Sequence, residues 1–413
     1  MSLQPGRTLA ELKELRELTG DDNGAQRVAF TPVWKTARDW LRKKLEELPV
    51  TVEQDEAGNL WATLEGASEQ TVLLGGHIDS VPNGGWLDGC LNTLTALETL
   101  RRIAAQYEGS KPPVTVKLVD WADEEGARFG MSLFGSAAFS GNLDMERSRT
   151  LVDRDGIRLE DALREYGIEL EDAPKASSRQ KNVAAYLELH IEQGPVLEGL
   201  GLPLGVVLGT YGVERHRIEF HGQAAHSGST PMDRRKDAFR AAGRMGEEVY
   251  TITDRHGGVS TIGFCQTKPG IVTSVVEECT ITLDQRHLEA DKLQALLHDA
   301  REASENYAEL AGCTVDWSRL WRIEPILFDD TLIELCDQAI TEVAGQSHRL
   351  PSGPLHDAAE VARAGIPTVM MFVQSLYGIS HNKIEDTLEE HIEMSVQAFD
   401  RLADKTMAWL AGN

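Results

Sequence analysis

The 413-residue sequence predicts an α/β fold with a smaller α+β domain inserted into it. Three observations carry that expectation. Strand and helix patterns alternate from the first strand to about residue 200, as they do where parallel strands are joined by helical crossovers. The run IPTVMMFV at 366–373 is almost entirely apolar, which suits a strand covered on both faces. Between 209 and 321 the pattern becomes β-α-β-β-α-β, the ferredoxin-like order. The expected boundaries are therefore 1–208 and 322–413 for the larger domain and 209–321 for the insert.

The elements follow in order. TVLLGGHID (71–79) reads as a strand that runs into a Gly/Pro-rich loop. A helix is expected from about Asp88 to Tyr107, where Leu91, Leu94, Leu97, Leu100 and Ile103 form an apolar stripe. Asp88 stands at its start, where free N–H groups favour a carboxylate. VTVKLVDWADEE (114–125) is a strand that ends in paired glutamates. The segment 142–182 is polar, holds one short helix candidate, LEDALREYG, and reads as a surface excursion. AAYLELHIEQG (184–194) is a strand with Tyr186, Glu188, His190 and Glu192 on one face. In the insert, RHRIEFHG, a helix near 232–252, GVSTIGFCQT, CTITLDQRH, a helix near 291–310 and CTVDWSR supply the six elements.

Composition excludes some partners. The formal net charge of −25 argues against nucleic acid and anionic membranes, which are themselves polyanions. The five cysteines are scattered without CxxC spacing, so neither a disulfide framework nor a zinc ribbon is indicated. MSLQPGRTLAELKEL lacks an apolar signal core, and no stretch reaches the ~18 apolar residues of a membrane span. Cytoplasm is the expected location.

The chemistry lies in His77, Asp88, Glu125, His190 and His381. Their contexts are GGHIDSVPNGGWLDG (75–89), WADEEGARFG (121–130), LELHIEQGP (187–195) and YGISHNKIEDT (377–387). Histidine and carboxylate without thiolate is a ligand mixture for hydrolytic zinc or manganese, with cobalt a further option. Two such ions about 3.5–4 Å apart share a water, lower its pKa and polarise a carbonyl. The reading is a metal-dependent amide hydrolase. Taken singly, a histidine is more often structural and a Glu-Glu pair more often a solvated turn. The combination decides. The H-x-D spacing lets Asp79 accept a hydrogen bond from the second ring nitrogen of His77. Asp88 follows in a loop bracketed by Gly84, Gly85 and Gly89, and reaches back to bridge two ions. Glu124 and Glu125 must diverge, so that one ligates while the other serves as general base. His356, in SGPLHDAAE, takes a supporting role. In the insert, HGQAAHSGSTPMDRRKDA (221–238) sets His226 in a loop before a helix, and Arg286 closes TITLDQR. His226 suits an oxyanion donor and Arg286 a bidentate carboxylate clamp, although a surface arginine fits the local pattern of Arg286 equally well.

Together these motifs resemble the M20 metallopeptidase superfamily, and within it the branch of N-carbamoyl-L-amino-acid hydrolases, allantoate amidohydrolases and β-ureidopropionases. HIEQGP, EEGARFG, HSGSTPM and GISHNKIEDT carry the likeness, which spans nearly the whole chain. It implies a mixed-sheet catalytic domain with an inserted lid that also dimerises. It assigns His77, Asp88 and His190 to one ion, and Asp88, Glu125 and His381 to the other, with Glu124 as general base. Gln193, Arg215, His226 and Arg286 become substrate contacts, His226 in the neighbouring subunit's site. Departures touch the pocket: VTSVVEE (272–278) places Thr273 or Ser274 where the branch has an asparagine. Glu214 replaces a glutamine, and Asn92 and Leu355 replace glycines. The implied reaction converts an N-carbamoyl (ureido) amino acid to amine, CO2 and ammonia. The alternative keeps the mechanism but acts on an N-acyl amino acid or another amide-linked acid. A non-catalytic scaffold on the same fold is opposed by the complete ligand set and by Glu124. The expected partners are a small carboxylate-bearing substrate and a second copy of the chain.

Overall fold

In the computed structural model, which describes residues 2–412, the apolar run at 366–373 contains the strand Thr368–Val373, buried at every position. It lies parallel to Val183–Ile191, which is parallel to Ser68–His77, which is parallel to Val114–Trp121. Antiparallel strands extend this group, Leu60–Leu64 and Thr51–Gln54 on one side and Leu204–Thr210 on the other. The result is a mixed sheet in an α/β unit. Its central strands need burial on both faces, and the Val/Leu-rich sequences supply it. Because these four strands are parallel, their C-terminal ends share one edge, the edge where open α/β sheets take ligands.

The helix after the first glycine-rich loop runs Cys90–Gln106. The five stripe residues are fully buried, but so are Asn92, Thr95 and Thr99 on the other side. The amphipathic reading is thus too simple, because the helix is packed on one side by the sheet, with Asn92 against Gly76, and also by the helices Pro5–Thr19 and Glu389–Gly412. Its charges are all paired: Glu98 with Arg7 at 2.7 Å, Arg101 with Glu11 at 2.7 Å and Arg102 with Asp400 at 2.7 Å. A Cβ on Gly76 would stand 2.3 Å from the Asn92 Cβ. Glycine at 76 is therefore what lets helix and strand approach this closely.

The segment 142–182 also departs from expectation. It holds Met145–Ser148, Leu159–Glu165 and a 3-10 stretch Leu170–Gln180. Leu159, Leu163, Leu170, Ala173 and Ala176 are buried in the core of the unit, so the excursion is docked, not free on the surface.

The second unit spans Gly209–Leu327. Its elements are Gly212–His221, Ala238–His256, Val259–Lys268, Glu278–His287, Ala290–Ala311 and Thr314–Ile323. The strands form an antiparallel sheet in the spatial order Val259–Lys268, Glu278–His287, Gly212–His221, Thr314–Ile323. The first helix starts at Ala238, six residues later than expected, because the Asp237 carboxylate caps it by accepting from Phe239 N. Both helices pack on one sheet face, around Ile218, Phe220, Ile281 and Leu283. The opposite face carries Arg215, Asp284, Arg286 and Trp321. The unit reaches Leu327 because Ile326–Leu327 pairs with Gly209–Thr210, which brings its entry and exit segments side by side. Among the described residues, no helix is long and apolar enough to cross a membrane.

Candidate metal centre

Each of the five histidine and carboxylate side chains is delivered by the edge described above. His77 is the last residue of its strand, and His190 lies one residue before the end of Val183–Ile191. Glu125 follows the end of Val114–Trp121, and His381 follows Thr368–Val373 through a short 3-10 turn. Asp88 reaches in from the loop before the Cys90 helix. That loop turns at Gly89 (φ 69°), where a Cβ would strike the His77 ring at 2.4 Å.

The side chains fall into two groups, His77, Asp88 and His190, and Asp88, Glu125 and His381, each with ligand atoms within 4.8 Å of one another. Asp88 belongs to both and divides its oxygens between them. Its Oδ1 is 3.2 Å from His190 Nε2 and 3.8 Å from His77 Nε2, while its Oδ2 is 3.4 Å from His381 Nε2. Glu125 Oε2 is 3.3 Å from His381 Nε2. Donor atoms around a tetrahedral ion with bonds of about 2.1 Å stand roughly 3.4 Å apart, so these spacings suit a cation in each group.

Protonation favours the same use. His190 Nδ1 lies 2.8 Å from the Ile191 carbonyl and His77 Nδ1 3.2 Å from the Asp79 carbonyl. Both rings thus donate from Nδ1 and turn Nε2 inward. His77 Nε2 is buried and has no hydrogen-bond partner among the described residues. Burial pushes Glu124 and Glu125 well above the usual carboxylate range, with Asp357 acting further on Glu124 and Asp88 on Glu125. Burial opposes charge on His77, but Glu124, Asp79 and Asp88 outweigh it and hold its pKa well above the ordinary value. A buried set with this excess of acids over bases is relieved by divalent cations, and the residues present fit them.

Glu124 is 8% exposed, and its Oε2 lies 3.8 Å from His77 Nε2. It therefore faces the centre without belonging to either group. Asp79 keeps the approach to His77 Nδ1 that the H-x-D spacing predicts, and adds a second contact. The strand stops at His77, so strand alternation no longer applies at 79. The Asp79 carboxylate accepts from Glu124 N at 3.3 Å and Glu125 N at 3.2 Å, and stands 3.5 Å from His77 Nδ1. Its main contact is with the turn that presents the two glutamates. Gln193 turns its amide to the centre itself, donating to Asp88 Oδ2 at 2.8 Å and to Ser380 Oγ at 3.0 Å. His356 is buried, with its ring 4.1 Å from that of His190. Burial, followed by His190, holds its pKa well below the ordinary value, so it packs as a neutral imidazole.

Glu385 is a further candidate functional residue, with no role legible from its sequence context alone. Its Oε1 accepts from Asp88 N at 3.0 Å and Leu87 N at 3.2 Å, and its Oε2 from Ser380 Oγ at 2.9 Å. Burial and then Asp88 push its pKa up to about 7. The available signal was an acid four residues beyond His381 in a loop already marked as functional. Asp123, Gln193 and His381 share left-handed backbone, with φ of 56°, 57° and 54°. Such strain gathers at functional sites.

In the second unit, Ala225–His226 pairs with Ser274–Val275, so His226 lies opposite Ser274, and Ser227 N donates to Thr273 O at 2.9 Å. The two stretches singled out in sequence are therefore neighbours. His226 is exposed, its Nδ1 accepting from Gly228 N at 3.1 Å. Arg215 and Arg286 both bind Asp284. Glu214 points to the other side of the sheet. It is buried against His216 Nε2 at 2.8 Å and Arg322 Nε at 3.1 Å.

Comparison with known proteins agrees in fold and in sequence. The family described as Peptidase family M20/M25/M40 matches residues 73–405. An N-carbamoyl-L-amino acid amidohydrolase of Geobacillus stearothermophilus is 33% identical over 392 residues, 94% of this chain and 95% of that protein. An allantoate amidohydrolase of Escherichia coli strain K12 is 33% identical over 377 residues, 88% of each chain. The crystal structure of an amidase of the hydantoinase/carbamoylase family from Burkholderia multivorans superposes with a TM-score of 0.87 at 30% identity, covering 98% of each chain.

Proposed function

Since the chain belongs to peptidase family M20/M25/M40, we propose that it is a two-metal amidohydrolase cleaving N-carbamoyl amino acids or related ureido acids to amine, CO2 and ammonia. The observation that carries the reading is Asp88, whose two carboxylate oxygens serve two separate histidine groups. His77, Asp88 and His190 would hold one ion, and Asp88, Glu125 and His381 the other, with zinc, manganese or cobalt as candidates. When bound, the ions supply Lewis acidity at the ureido carbonyl and lower the pKa of water.

The chain's own residues do the rest. Glu124, buried beside His77, takes the proton of the attacking water at its carboxylate and returns it to the leaving nitrogen. Asp79 fixes the turn that aims Glu124 and Glu125 apart. Gln193 and Glu385 fix Asp88, one at its carboxylate and the other at its backbone. Arg286 and Arg215 are assigned to the substrate carboxylate, and His226 to the carbonyl oxygen as hydrogen-bond donor, with Thr273 or Ser274 beside it. A homodimer is assigned to the second unit. Its sheet has open edges at Val259–Lys268 and Thr314–Ile323, with Val259, Phe264, Leu320 and Trp321 exposed.

The second reading, an N-acyl amino acid, rests on the changed residues. Glu214 no longer supports it, because its side chain is committed to His216 and Arg322, away from Arg215. Thr273 and Ser274 still do, because they flank His226. A panel of ureido acids and matched N-acyl acids, assayed with metal-loaded protein for both amine and ammonia, separates the two. Ammonia equimolar with amine supports the ureido reading. Amine without ammonia, from acyl substrates alone, overturns it.

A further inference from the structure

We infer that Asp284 is a positioning residue that sets Arg215 and Arg286 together as one carboxylate receptor. The inference rests on the ureido-acid reading above, and concerns how the substrate's carboxylate is read. Asp284 and Arg215 are direct cross-strand partners, and Arg286 lies two residues further along the same strand as Asp284. All three side chains therefore project from one face of the sheet. Asp284 Oδ2 accepts from Arg215 Nε at 2.8 Å and Nη2 at 2.6 Å, while Oδ1 accepts from Arg286 Nε at 2.8 Å. One carboxylate thus holds both guanidiniums by their Nε edges, each oxygen committed to one arginine. The Arg215 guanidinium also lies 5.4 Å over the Trp321 ring, so its plane is fixed by stacking as well.

Two features separate this arrangement from an ordinary surface ion pair. Adjacent guanidiniums repel, and a long arginine side chain at a half-exposed site splays into water unless something holds it. A shared anion draws the pair together. Asp284 offsets part of the positive charge of the two guanidiniums, which lowers their mutual repulsion while leaving donors for one carboxylate. Asp284 then does not touch substrate. It acts through the two arginines, by limiting their rotamers and by offsetting part of their charge.

The test uses the full-length, metal-loaded protein with Asp284→Ala and Asp284→Asn. Alanine removes both anchors, whereas asparagine keeps the shape and one acceptor oxygen. KM and kcat are measured for a ureido acid and for its carboxamide analogue. In Asp284→Ala, KM for the acid should rise at least ~10-fold while kcat stays within about 3-fold, and KM for the carboxamide should not move. Asp284→Asn should fall between. In parallel, the arginine Nε–H signals are followed by 15N NMR without substrate, assigned through Arg215→Lys and Arg286→Lys. Both should shift and exchange faster in Asp284→Ala. Equal KM changes for acid and carboxamide, an unchanged KM for the acid, or unmoved Nε–H signals overturn the inference. If the wild type cleaves no ureido acid, the functional reading fails by itself. The kinetic arm is then run on whichever N-acyl acid it cleaves, and the NMR arm needs no substrate at all.

Discussion

Glu124 shows how far residue type alone carries function. Adjacent glutamates beyond a strand read as a divided pair from sequence, one for metal and one for protons. The structure places Glu125 beside His381 and Glu124 toward His77. Replacing Glu124 by Gln preserves size and one hydrogen-bonding oxygen but removes the proton acceptor. The expected outcome is retained metal with kcat lowered by roughly 10²–10⁴-fold. Metal analysis beside steady-state kinetics checks it, and metal loss with activity falling in proportion would reverse the roles of the two glutamates. Residues whose chemistry is in the side-chain type, such as His77, Asp88 and His190, were legible in the sequence. Asp79, Gln193 and Glu385 were not legible in the same way. Their partners are backbone N–H groups or another side chain, and these are fixed by where a strand ends and how a loop turns.

At the scale of elements, the four strands that gather the histidines were readable from apolar runs, whereas the antiparallel strands Thr51–Gln54, Leu60–Leu64 and Leu204–Thr210 were not. Burial around the Cys90–Gln106 helix was not, because periodicity reports one apolar face and cannot register that elements distant in sequence bury Asn92, Thr95 and Thr99 as well. The helix within LEDALREYG was legible, but the docking of segment 142–182 on the core was missed for a related reason. Its few apolar residues, among them Leu159, Leu163 and Leu170, are diluted by charge. The loop 84–89 is the element on which the centre most depends, and Glu385 ties it down through two backbone N–H groups. Glu385→Ala should loosen that loop and weaken metal binding by about 10–100-fold, the range typical for losing a group that orients a ligand. Competition with a chelator of known affinity measures this. Unchanged affinity would show that Gln193 and the Cys90 helix hold Asp88 unaided.

At the scale of the molecule, the insert was visible because its pattern of strands and helices differs from the one on either side. Its end was less clear, since the strand Thr314–Ile323 and the short pairing at Ile326–Leu327 extend past the last recognisable motif. The open sheet edges of this unit motivate the homodimer. Sedimentation at assay concentration should give twice the 45.5 kDa of one chain, and a fully active monomer would contradict it. The acidic surface bears on partners, and says nothing about fold.

We propose that catalysis belongs to two cations shared through Asp88. This is tested most directly by titrating carefully stripped protein with Zn²⁺, Mn²⁺ or Co²⁺ while measuring bound metal and amide hydrolysis in the same samples. Stripped protein should show no turnover, and activity should climb to a plateau at two ions per chain. Full turnover by stripped protein with no metal detected would contradict it.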